Sequence, residues 1–493
     1  MASFFTAHFV GGMNEVVHPT LLDEKTAQLL VNGDISSGKV VAIKRPLLLE
    51  QSNPEDFGHY GNRHRSAIKW YERTYWSNND AVEAPFYGGK EENYLGIPYP
   101  DYSKNVKLEK ESSGQLTGKY KYCVTFVNPN GWESAPGSLT EYEKSIVLTS
   151  NKVKITVTWN DSRVSYAKIY RTTAEGADFF CIAEIKASGE NFVDDTDDYT
   201  LAGLEPLTTI DNYPPPEGGR YLCESGGVFF VAKGSTLYFS AVGNPHAWPP
   251  LNFIGFDDRI TGITAEFQGV LVFTANNTFR VVGADDVATV TKNIIPGNQG
   301  CSNYNTIAKV SNAPVWLSND GLCLWDGQSI ALISKQVINT EKIQALCAAS
   351  SDDRYYLFLK SGAVVFDHRN NDVFYRLDFT CEYAWYDADR DIMYLLHNNR
   401  IYQYGFGDVG NYTYVSPLIG SPESQYHIYR SVVISIEGTG SVNAKVDGEI
   451  SFSAKLPKSG KYRLEFPYNA VGRSAEITVS GNSSLKEFGV MYD

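Results

Sequence analysis

Several stretches of the sequence carry residue types whose spacing could do chemistry. At 313–333, APVWLSNDGLCLWDGQSIALI places Ser318, Asp320 and Trp325 close to the SxDxGxxW turn motif, the Asp-box, of sialidases. Gly321 follows Asp320 directly instead of standing one residue later, so the match fails, and a structural turn is the expected role. VDDTDDY, Val193 to Tyr199, gathers four aspartates and suggests calcium. It lacks the alternating oxygen ligands and closing Glu of an EF-hand loop, and reads as a solvated strand edge. His59 and His64, in HYGNRH, are five apart in a loop, which is no zinc spacing. There is no GxSxG, no P-loop and no GxGxxG in a strand-turn-helix setting. The expectation is therefore a protein that is not an enzyme, with no catalytic, metal or cofactor-binding residue. Two features remain as possible partner contacts. Lys44 and Arg45 form a lone basic spot in IKRP, otherwise a solvated strand end; Trp132, in NPNGWESAPG, is a loop aromatic for which packing within the sandwich loops is the favoured reading and an exposed contact the other.

The elements that must position these residues read as strands. GGVFFVAKGSTLYFS, GVLVFTANNTFRVVG, APVWLSNDGLCLWDG, RYYLFLKSGAVVFD and IMYLLHNNRIYQYG are hairpin-like, with turns at Gly234, Asn276, Asp320, Ser361 and Asn398, at intervals of 42, 44, 41 and 37. A β-hairpin repeating about every 40 residues is the signature of a propeller blade, whose small sheet must bury its faces against its neighbours. The five units span about 220 to 410, and strands near 39–49 and 67–76 are candidates for completing the ring. KWYERTYW is expected as one strand, and Asp23 to Val31 as a short helix.

Between 104 and 210, GKYKYCVTFV, NKVKITVTW, YAKIYRTT, FFCIAEI and FVDDT alternate with turn residues, as in a β-sandwich. Tyr120, Tyr122, Val124 and Phe126 share one face, as do Ile155, Val157 and Trp159, so two sheets each have an apolar side to bury. DNYPPPEGG at 211–219 is a stiff linker. The fold class is all-β: a propeller of five to seven blades with an inserted fibronectin-III-like sandwich and a small C-terminal β unit. The expected divisions are 1–103, contributing strands to the propeller, 104–210 for the sandwich, 211–416 for the main blades, and 417–493.

Bulk properties bound the function. Fifty-seven acidic against 43 basic residues leave a net charge of −14, which argues against a protein that binds nucleic acid by neutralising phosphates. Seven cysteines, an odd number without CxxC pairs, sit mostly in apolar runs and read as buried thiols. The opening MASFFTAHFVGGMNE lacks a basic region before its apolar residues, so no secretory signal is expected, and no window suits a membrane span.

The N-terminal stretch GGMNEVVHPTLLDEKTAQLLVNGDISSGKVVAIKRP, through Gly11, Gly12, Pro19, Ala27, Leu30, Asn32, Lys44, Arg45 and Pro46, resembles the opening of the tail nozzle, or tail hub, proteins (tail tubular protein B-like) of short-tailed bacteriophages. YKYCVTFVNPNGWESAPGS, AKIYRTT and FVDDT resemble that family's fibronectin-III-like insert, and LYFSAVGNPHAWPP with VWLSNDGLCLWDG its propeller. The resemblance implies a virion structural protein made in the cytoplasm of a bacterial host and placed in the phage tail. Its partners would be further copies of itself in a homohexameric ring, the adaptor and portal, and tail fibres or spikes. Double-stranded viral DNA would pass through the lumen without specific binding, and no stable membrane insertion is implied. An acidic wall would keep DNA from sticking. The alternative from a different class is a carbohydrate-binding or carbohydrate-cleaving propeller acting as a receptor-binding protein.

Overall fold

Each of the five hairpins marked by the sequence is the middle pair of four consecutive antiparallel strands, which form a separate sheet in four cases and part of a larger sheet in the fifth. In the computed structural model, which describes all residues except 1, 53–56, 58, 59, 63, 81–84, 88–92, 340–343, 421–424 and 469, these sheets follow one another along the chain. Val228–Lys233 and Thr236–Phe239 are flanked by Arg220–Ser225 and Phe253–Gly255. Next come Gly262–Glu266, Gly269–Phe273, Thr278–Val282 and Thr291–Ile295. Then follow Ala308–Val310, Ala313–Leu317, Leu322–Trp325 and Ile330–Leu332. Ala345–Ser351, Arg354–Leu359, Gly362–Asp367 and Val373–Leu377 form the fourth of these sheets. The fifth consists of Tyr383–Asp387, Ile392–His397 and Arg400–Gln403, and its outer strand is Leu47–Leu48 from the N-terminal region.

A sixth sheet, Arg65–Trp70, Arg73–Asn78, Phe86–Tyr87 and Asn93–Tyr94, precedes them, so among the described residues there are six blades. Arg354–Leu359 and Gly362–Asp367 are buried at every position, on both faces. That explains why the sequence shows unbroken apolar runs there and no alternation: a blade is covered from both sides.

The chain divides into two compact units, one made of His64–Leu271 with Arg280–Asn293, the other of Met1–Arg63, Val272–Phe279 and Ile294–Asp493. In the first unit Arg220–Ser225 lies against Arg65–Trp70 on one side and Gly262–Glu266 on the other. In the second, Ala345–Ser351 lies likewise between Ala308–Val310 and Tyr383–Asp387. The first strands of successive sheets thus stand side by side, as blades of a β-propeller do.

Within the second unit the chain ends are interleaved. Leu29–Val31 runs parallel to Val373–Leu377 and antiparallel to Tyr412–Val415, joining a blade to C-terminal strands in a ten-stranded sheet. Ala2–Thr6 and Val40–Ala42 both pair with Ser484–Tyr492, which in turn pairs with His427–Glu437. The C-terminal strands therefore share their sheets with the first 42 residues. The helix expected over Asp23–Val31 is absent, because its backbone donors go elsewhere: Ala27 N to Gly12 O at 2.8 Å and Gln28 N to Val415 O at 3.0 Å. Long-range pairing satisfies the same groups a helix would, and packs Ala27 and Leu30 into the core.

In the first unit the sandwich is one continuous sheet where two were expected. Val106–Val127 and Lys144–Val157 are single long strands whose pairing slips at Ser112 and Leu116, with Ser113 and Ser150 in left-handed conformation. The bulge lets the pair bend, so that Tyr120, Tyr122 and Val124 meet Val153, Ile155 and Val157 in one core. Tyr166–Arg171, Phe180–Ile185 and Asn191–Asp194 complete the sheet. KWYERTYW is a hairpin and not one strand, turning at Tyr71 and Glu72.

The aspartate run is not simply a solvated edge. Asp194 is fully buried against Arg171 (Nη1 to Oδ2, 2.8 Å), accepts the Tyr122 hydroxyl at 2.7 Å, and Arg171 also reaches Asp198 at 2.9 Å. Asp195 pairs with Lys152, and Asp197 caps the short helix Asp198–Leu201 through Thr200 N. All seven cysteines are free thiols, six of them buried and Cys181 partly exposed. Replacing Asp194 by Ala leaves the buried guanidinium with Asp198 as its remaining carboxylate and takes the acceptor from the Tyr122 hydroxyl, a loss of about 3 kcal/mol. The expected outcome is a sandwich unfolding at markedly lower urea, with most of the loss recovered in the Arg171→Met/Asp194→Leu double variant.

Candidate functional site

Trp132 sits in a loop organised by one side chain. Strand Val106–Val127 ends where Asn128 accepts hydrogen bonds at its Oδ1 from Asn130 N and Trp132 N, both at 3.0 Å, while its backbone amide bonds Trp132 O. Gly131, at φ 77°, supplies the left-handed residue the turn needs. This self-bonded loop presents the indole to neighbours in the same unit. His246 stacks on it, with centroids 4.8 Å apart and planes within 6°; the Arg73 guanidinium lies over it at 5.2 Å; and Tyr87 tilts against it at 4.9 Å. Asn130 ties the assembly, accepting from Arg73 Nη2 at 3.2 Å and donating to the Tyr87 hydroxyl at 2.6 Å. Trp132 is thus half-buried and packed, in line with the packing reading of the loop and not with an exposed contact, although its neighbours come from outside its own loop.

Around it opens a cleft of about 480 Å³. Its far wall is the turn Gly243–Asn244–Pro245, closed by Ala241 N to Ala247 O at 2.8 Å, and its near wall is the hairpin turn of Tyr71 and Glu72. Tyr71 is the exposed aromatic: 81% of its surface is open, its ring packs edge-on to Trp70 at 4.6 Å, and its φ is 51°. A left-handed backbone costs a bulky residue about 1–2 kcal/mol relative to the ordinary region, which Gly would not pay. Reading KWYERTYW as a single strand hid this turn; no Gly, Pro, Asn, Asp or Ser stands in the stretch to mark it, although Trp70 and Arg73 pair across it.

Lys44 and Arg45 lie in the other unit, in the segment leading to Leu47–Leu48. Both are exposed; Arg45 forms an ion pair with Asp378 at 2.9 Å, and its amide bonds Asp408 O at 2.8 Å. They are neighbours of each other, and Trp132 belongs to a different unit. At the near-Asp-box turn, Asp320 accepts from Gln299 Nε2 at 2.8 Å, Ser318 Oγ donates to Gly321 O at 2.9 Å, and Gly321 alone carries a positive φ, 139°. Trp316 and Trp325 are buried in packing. His64 pairs with Asp80, and His59 lies outside the described residues. Among the described residues no three His, Cys, Asp or Glu are grouped to hold a metal ion, and no helix is long and apolar enough to cross a membrane.

No family model and no curated protein matches the sequence. Solved structures do align. BamB from Moraxella catarrhalis is 8% identical, covering 62% of this chain and 97% of its own, with a TM-score of 0.28. The Pan2 WD40 domain of Neurospora crassa is 8% identical over 52% and 82%, with a TM-score of 0.27. PorZ of Porphyromonas gingivalis is 9% identical over 89% and 77%, with a TM-score of 0.28. At these scores the propeller assignment rests on the chain's own blades.

The electrostatics of the cleft are set by His246. It is only 7% exposed, its Nδ1 has no hydrogen-bond partner among the described residues, and burial lowers its pKa from 6.5 to about 4. Above pH 6.5 the imidazole is neutral in the folded and the unfolded chain, and its full contribution to stability is present. As pH falls toward 4 the unfolded chain takes up a proton that the folded one refuses, so stability is lost in that window, by about 3 kcal/mol. His246→Phe keeps a stacking ring and removes the proton site. The urea midpoint of the unaltered chain is expected to fall relative to that of His246→Phe as pH drops from 6.5 to 4, and parallel curves would contradict this assignment.

Proposed function

We propose that the protein is a structural subunit of a short bacteriophage tail, one protomer of a nozzle ring that conducts the genome and seats the adaptor and fibres. The sequence resemblance motivates this reading, and one structural observation carries the assembly part of it. In the second unit Ile428 and Val471 face each other across an antiparallel pair and both are exposed; Tyr426 and Tyr468, nearby in the chain, stand largely or wholly in water. An apolar patch of this kind on an isolated chain is what a subunit buries on joining its neighbours. Lys44 and Arg45, exposed at the strand end, are the proposed contact with an acidic partner surface; the packing of Trp132 favours a structural role there.

In this reading the protein is not an enzyme, holds no cofactor, and lets DNA pass because like charges repel along the wall. It resides in the virion tail after assembly in the host cytoplasm. Cryo-electron microscopy of intact virions is expected to show this chain as a closed ring, six copies by the family resemblance, at the tail tip, with acidic side chains lining the axial channel. A lumen lined mainly by Lys and Arg, or virions lacking the chain, would overturn the reading. Ile428→Glu is expected to leave the folded chain intact and to yield particles without nozzles. A chain that hydrolyses glycosidic bonds would favour the carbohydrate-cleaving alternative.

A further inference from the structure

We propose that the cleft between the Tyr71 turn and the 243–245 turn binds a neutral oligosaccharide, with the Tyr71 ring as its stacking platform. A pyranose presents an apolar C–H face, which an exposed aromatic ring covers, and a rim of hydroxyls, which carboxylates and amides bridge. Those groups converge here. Tyr71 is open to solvent and braced edge-on by Trp70. The adjacent Glu72 carboxylate is exposed, and no group among the described residues bonds it. Asn244, on the facing wall, donates Nδ2 to Val242 O at 3.3 Å, which leaves its Oδ1 and second N–H for a ligand. The volume, about 480 Å³, falls in the ~300–1,000 Å³ range of small-ligand clefts.

The charges select a neutral guest. The Arg73 guanidinium over Trp132 repels a cation, while Glu72 and the chain's net charge of −14 disfavour an anion. The backbone supplies a second, independent indication. The hairpin turn requires a left-handed residue, as Gly234 supplies at φ 62° in the hairpin of the following blade; that a tyrosine fills it here at φ 51°, burying little, holds the ring out in solvent where a glycine would be unstrained. The assignment deepens the carbohydrate-binding alternative and is indifferent to whether the chain also forms a ring.

The test is calorimetric titration of the full chain with cellotetraose, maltotetraose and chitotetraose, with tetragalacturonate as the anionic control. At least one neutral tetramer is expected to bind with a Kd of about 1 mM or tighter. Tyr71→Gly is expected to weaken that binding at least tenfold while its unfolding midpoint stays level or rises, because glycine relaxes the left-handed turn. Glu72→Gln is expected to weaken it severalfold without changing stability. Failure of all neutral tetramers to bind, binding of the galacturonate alone, or unchanged affinity in Tyr71→Gly would each overturn the proposal. None of these outcomes bears on the ring, which the virion images decide separately.

Discussion

Sheet edges must be closed, and in this chain the N-terminal residues close them. Leu47 and Leu48 pair with Gln403 and Tyr402, more than 350 positions away, and give the last blade its fourth strand. Leu29–Val31 fills the gap between Val373–Leu377 and Tyr412–Val415, and Ala2–Thr6 and Val40–Ala42 pair with Ser484–Tyr492. Without these short inserts, buried N–H and C=O groups along several strands would face apolar surroundings with no partner. The same dependence makes folding of this unit a long-range problem, since Ala2–Thr6 finds its strand partner only when Ser484–Tyr492 exists.

The elements most legible in the sequence were those whose signal is local. All five hairpins turn where Gly234, Asn276, Asp320, Ser361 and Asn398 placed them, because turn chemistry and flanking apolar runs act within a dozen residues. What failed was set at a distance. Asp23 to Val31 has helical composition, yet partners at residues 12 and 415 take its donors. The two layers of the sandwich are continuous because a bulge at Ser113 bends one strand, and nothing in the alternation of Tyr120, Tyr122 and Val124 announces it.

The candidate site was legible only in part, for a related reason. Trp132 was visible as a loop aromatic, but His246, Arg73 and Tyr87, which pack against its ring, come from three other stretches of sequence. The aspartates of VDDTDDY have one composition and three environments: Asp194 in a dry ion pair, Asp195 in an ion pair with Lys152, Asp197 on a helix cap. Residue type suggested a shared task. Burial, which depends on where Arg171 and Tyr122 arrive, divided them.

The Leu47–Leu48 strand is also a mechanical element. It holds by two residues at the rim of its sheet, reinforced by Leu49 N bonding Ile401 O at 2.9 Å, and further along the chain Phe57 packs on Trp385 and Tyr394 of the same sheet. Tension on the chain beyond Phe57 would load that aromatic contact first, then Leu49 and the two leucines, before any interior strand. A ribbon this short, pulled from one end, peels bond by bond, so the blade would open at its rim under modest force while Ile392–His397, bonded on both sides, stayed in place.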